Sequence, residues 1–76
     1  MNILKIFGSN VRRIREQYGW SQDHLADESG LHRTYISGIE RGIRNPTLSV
    51  VAKVSQALNV APEVLLAFLI EQDKDK

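Results

Sequence analysis

The chain has 76 residues, no cysteine and a net charge of +1, with 42% apolar and 25% charged residues. This is one domain near the lower limit for a self-sufficient core, without disulfides or thiolate metal sites, so tight packing and help from a partner chain are its sources of stability. No apolar run approaches a membrane span, and the opening "MNILKIFGSNVRR" is too short and too interrupted for a signal peptide, which points to the reduced cytoplasm.

In chain order the sequence predicts five helices and no strand. The first spans about 4–18, with Phe7, Val11 and Ile14 at helical spacing and Gly19 to stop it. Ser21 is a good N-cap for a short second helix, "QDHLADES", closed by Gly30. The third covers about 32–41 and ends at Gly42. After the loop "GIRNP", Thr47 caps a fourth helix that runs to about Leu58. The fifth begins at Pro62, a residue suited to a first helical turn, and fades into "EQDKDK". Short connections throughout predict a compact all-α bundle, one domain over 1–72 with a frayed tail at 73–76.

Charge is unevenly placed. Residues 1–44 hold all six arginines and Lys5 against five acids, whereas residues 45–76 hold three lysines against four acids. Arginine suits bidentate contact with phosphate or guanine, although scattered surface arginines also serve solubility alone.

The second and third helices have the spacing of a helix–turn–helix. Ala26 is small enough for a steep crossing, Gly30 supplies a left-handed turn residue, and Ile36 and Ile39 face inward from the third helix. By pattern alone, a helical hairpin of purely structural purpose stays open. The segments "SQDHLA", "RTYISGIERG" and "RNPTL" add specificity, and residues 7–66 resemble the phage Cro/repressor helix–turn–helix family. "LHRTYISGIERGIRN" in so short a chain looks most like the controller proteins of restriction–modification systems. The resemblance implies a five-helix, lambda-repressor-like DNA-binding domain, with its helix–turn–helix at 22–41. It also implies a dimer that binds operator DNA near its own promoter, with the third helix in the major groove. It further implies that Glu40 pairs with Arg15 of the first helix as a structural contact, and that Gln22 meets a phosphate. Double-stranded DNA, a second copy and RNA polymerase are the partners of such a regulator, and no metal or cofactor is expected.

A helical wheel divides the third helix. Ile36, Ile39 and Glu40 define the inward side, while Thr34, Ser37, Gly38 and Arg41 fall opposite, with Arg33 and Tyr35 on the shoulders. Arg33, Thr34, Tyr35 and Ser37 are therefore the candidate base contacts, and Gln22, Arg41, Arg44 and Asn45 the candidate backbone contacts. Gly38 costs the helix about 1 kcal/mol relative to alanine, and its expected purpose is to let the helix approach DNA closely. His32 stands where the family often has a capping Ser or Thr, Ala61 is a poor N-cap, and Trp20 is expected in the core.

"VLLAFLI", residues 64–70, is apolar all round within the expected fifth helix, yet a domain this small covers only one side of it. Leu65, Leu66 and Leu69 are assigned to the core, and Val64, Ala67 and Phe68 to a two-fold dimer contact. No catalytic constellation is present: the two histidines lack a carboxylate partner at useful spacing, and no glycine-framed serine or phosphate-cradling loop occurs. An enzyme is not expected. An antitoxin or other partner-binding protein using the same fold is the alternative function.

Overall fold

Side-chain oxygens start three of the helices. Asn2 Oδ1 accepts from the Lys5 N–H, Ser21 Oγ from the His24 N–H and Thr47 Oγ1 from the Val50 N–H. These caps satisfy amides that have no partner inside a helix. In this computed structural model, which describes residues 1–68, the elements are α1 Ile3–Gln17, α2 Gln22–Ser29, α3 Arg33–Glu40, α4 Leu48–Leu58 and α5 Pro62–Leu66. Among the described residues there is no strand, and no helix is long and apolar enough to cross a membrane.

The first four helices also close alike. An amide just past each end returns to a carbonyl five residues back: Trp20 to Arg15, Leu31 to Ala26, Ile43 to Gly38 and Val60 to Ser55. That closure needs one left-handed residue, and at Gly30 (φ 72°) it turns α2 into α3 within three residues. Asn59 is the non-glycine member of the set, at φ 57°.

The core is a single cluster. Phe7, Val11 and Ile14 of α1 meet Leu25 and Ala26 of α2, Ile36 and Ile39 of α3, Val51, Val54 and Leu58 of α4, and Leu65 of α5. α1 passes so close to the end of α3 that a side chain at Gly8 would run into the Ile39 carbonyl oxygen. Trp20 packs against the core while stacking between Tyr18 (4.8 Å) and His24 (4.4 Å).

Two expectations are corrected at the C-terminal end. α5 stops at Leu66, and Ala67 is extended (φ −74°, ψ 133°), so "VLLAFLI" is not one helix. The cause lies in α1. The buried Asn10 amide donates from Nδ2 to both Leu65 O and Ala67 O, each at 2.9 Å, and holds the chain where the helix would otherwise continue. The second correction is Leu66, which is 40% exposed rather than in the core, while Leu65 is fully buried. Leu69 and the tail at 73–76 lie outside the described residues.

Candidate nucleic-acid interface

An ion pair fixes α3 from beneath. Arg15 donates from Nε to Glu40 Oε2 (2.6 Å) and from Nη2 to Glu40 Oε1 (2.9 Å), and its Nη1 bonds the Trp20 carbonyl at 2.7 Å. The two side chains are only 10% and 4% exposed. The hydrogen bond to Glu40 holds the Arg15 guanidinium above its ordinary pKa, against the opposing effect of burial. Gln22 adds a bond from Nε2 to Glu40 Oε1 at 3.1 Å, so its side chain, expected at a phosphate, is half-buried and turned towards this pair. One carboxylate thus ties the last residue of α3 to α1 and to the start of α2. A bidentate pair of this kind sets orientation as well as proximity.

The opposite side of α3 carries the exposed polar groups. Arg33 is exposed at the first position of the helix, with Nε 3.5 Å from Asp23 Oδ1 of α2. Thr34 is exposed beside it. His32 is the N-cap: its ring Nδ1 accepts from the Thr34 N–H at 3.3 Å and lies 2.9 Å from Thr34 Oγ1. Ser37 is half-buried, and its carbonyl accepts from Arg41 Nε at 3.4 Å. Tyr35 is half-buried against the core, with the Arg44 guanidinium 5.3 Å above its ring, within cation–π range. Arg41, Arg44 and Asn45 are all exposed around the loop that follows. The structure therefore groups Ser37 with Arg41, and Tyr35 with Arg44, and it sets Arg33 and Thr34 together at the start of the helix.

Gly38 requires a correction. It is buried, not open at the polar face: an added Cβ would lie 2.5 Å from Arg44 Cγ and 3.2 Å from Arg44 Nε. The loop curls back because the Ile43 and Arg44 amides both bond the Gly38 carbonyl, at 3.0 and 3.3 Å. The glycine makes room for Arg44, which in turn covers Tyr35.

Three residues here escaped sequence reasoning. Lys5 donates from Nζ to Arg41 O at 3.3 Å, placing a cation where helix carbonyls are left open. Asn10 holds the end of α5, and His32 caps α3. The first two act across 36 and at least 55 positions and leave no local signal. His32 could have been found from its position just ahead of the helix. In the C-terminal segment, Val64 and Phe68 are 39% and 64% exposed, and Ala67 is exposed between Leu66 and Phe68.

A helix–turn–helix family model matches residues 11–65. The control protein C.BamHI of Bacillus amyloliquefaciens is 53% identical over 68 residues, which is 88% of this chain and 84% of that protein. The crystal structure of the restriction–modification controller protein C.AhdI from Aeromonas hydrophila aligns with a TM-score of 0.79 at 44% identity, covering 82% of this chain and 94% of that one. The tetramer of the controller protein C.Esp1396I, solved in complex with its natural 35 base-pair operator, aligns at 0.78 with 37% identity over 86% of each chain.

Proposed function

The chain belongs to the helix–turn–helix family, beside the restriction–modification controller proteins, and from that premise we propose that it is such a controller, binding a near-palindromic operator as a dimer and regulating its own promoter. The observation that carries this reading is the rigid mounting of α3. The Arg15–Glu40 pair grips its inner end while Arg33 and Thr34 stand exposed at its start. Arginine offers a fork for guanine O6 and N7, and threonine a hydroxyl and a methyl. Arg33 and Thr34 read bases, with Tyr35 and Ser37 beside them, while Arg41, Arg44 and Asn45 follow the sugar–phosphate backbone. Gln22 meets a phosphate through its main-chain N–H at the start of α2, since its side chain is bonded to Glu40. Val64, Ala67 and Phe68 join two copies, which places two recognition helices about 34 Å apart in successive major grooves. The partners are operator DNA, a second copy of the chain and RNA polymerase at the promoter, all in the cytoplasm.

Quantitative binding to the DNA upstream of its own gene, against a random duplex, tests the reading. Arg33→Ala should cost about 1–3 kcal/mol on the operator and flatten discrimination at one base pair. An equal loss on both duplexes would make Arg33 a phosphate contact, and equal affinity of the unaltered protein for both would end the operator reading.

A further inference from the structure

The contact between His32 and Thr34 fixes more than a helix end. The Thr34 backbone N–H is only ever a donor, and it points at His32 Nδ1 from 3.3 Å. Nδ1 is therefore assigned as the acceptor in this cap, with the ring N–H on Nε2. The Thr34 hydroxyl lies 2.9 Å from the same nitrogen. With Nδ1 assigned as the acceptor, the hydroxyl is the donor in this contact and shares the one ring lone pair with the amide, as the shorter of the two partners. Its only proton is then spent inside the protein, and the oxygen has lone pairs alone to offer outward.

We infer that His32 is a specificity-determining residue: it locks the Thr34 hydroxyl as a hydrogen-bond acceptor, so that Thr34 reads an exocyclic amino group in the major groove, adenine N6 or cytosine N4. Those amino groups are the donors displayed there, whereas guanine N7 and O6, adenine N7 and thymine O4 are acceptors and would face a lone pair. A threonine free to rotate would serve either kind of edge. His32 removes that ambiguity by one bond, without itself touching a base. The inference rests on the proposed reading in that Thr34 must face DNA.

Its test uses the full chain and synthetic operator duplexes. In each duplex one base is replaced by an analogue lacking a single amino group, or lacking a single N7 or carbonyl oxygen. Loss of one amino group per half-site should weaken binding roughly 3- to 10-fold, the usual worth of one neutral hydrogen bond. The same analogue should cost nothing further once Thr34→Val has removed the hydroxyl. His32→Ser keeps a good N-cap, so the helix survives. It frees the hydroxyl, and sensitivity should spread to an acceptor group at the same base pair. Coupling of Thr34 to an N7 or carbonyl deletion in the unaltered protein overturns the inference, as does coupling to no base group at all. An unchanged amino preference in His32→Ser overturns the part assigned to His32. Operator discrimination that Arg33→Ala flattens would leave the controller reading standing in each of these cases. Absence of any operator discrimination would remove that reading first.

Discussion

α3 and α5 are both short, at eight and five residues, yet they are held in opposite ways. α3 is capped by His32, closed by a bond from the Ile43 amide to Gly38, gripped at its end by Arg15 and crowded by α1 at Gly8. α5 has no side-chain cap, one buried residue, and a C-terminal end tied to α1 by the Asn10 amide. Base readout needs side chains placed to within fractions of an ångström, and the bonds beneath α3 supply that from within one chain. An association surface needs apolar area and a partner, and the segment from α5 to Phe68 leaves Val64, Leu66 and Phe68 uncovered. Precision is built into the monomer, whereas the C-terminal end leaves apolar surface that the proposed second copy would cover.

The strongest way to break this contrast is to release α3. Glu40→Ala strands a guanidinium that is 10% exposed and deprives Gln22 of its acceptor. Removing one member of a buried pair costs about 3–5 kcal/mol, a large share of the stability of so small a domain. Urea unfolding should show the loss as a lower midpoint with the slope kept. A change under 1 kcal/mol would mean that α3 is held by packing alone, and the distinction from α5 would fade.

Phe68→Asp probes the C-terminal segment. Phe68 is 64% exposed, so the monomer should barely register the change. Covering a phenylalanine on association contributes about 1.5–3 kcal/mol per chain, and an aspartate would add two facing charges at the two-fold contact. Sedimentation at micromolar concentration should show a dimer for the unaltered chain and a monomer for the variant, with operator affinity lost and α3 intact. A monomer in both would remove Phe68 from any self-association.

Much of the fold was legible because its signals are local. Ser21, Thr47, Gly19, Gly30 and Gly42 mark ends within a few residues of where they act, and the inward spacing of Ile36 and Ile39 follows from one helical period. The partner of Glu40 came from family resemblance and not from spacing, since 25 positions separate it from Arg15. The end of α5 was illegible for the same reason. "VLLAFLI" contains no glycine or proline, and the residue that ends the helix is Asn10, more than fifty positions away. Gly38 misled in a different manner. Its place on the helical wheel was right, but a wheel cannot show that the chain after Gly42 folds back over it.

That last point yields the smallest effect on stability and the finest test of how the polar face of α3 is built. In Gly38→Ala the new methyl would meet Arg44 at Cγ, Nε and Cδ, at 2.5, 3.2 and 3.4 Å. Arg44 is exposed and its side chain can swing away, giving up a cation–π contact worth about 0.5–1 kcal/mol at such a site. Alanine returns about 1 kcal/mol of helix propensity. The two nearly cancel, so the unfolding midpoint should scarcely move. Operator affinity should nevertheless fall, because Arg44 no longer sits over Tyr35 in the position from which the proposed backbone contact would be made. The same substitution in an Arg44→Ala background separates the two explanations of the glycine. If Gly38 acts by making room for Arg44, the second change costs nothing further, and the double-mutant cycle shows strong coupling. If the two losses add, the glycine meets DNA directly, and the burial of its face by Arg44 is not what binding depends on.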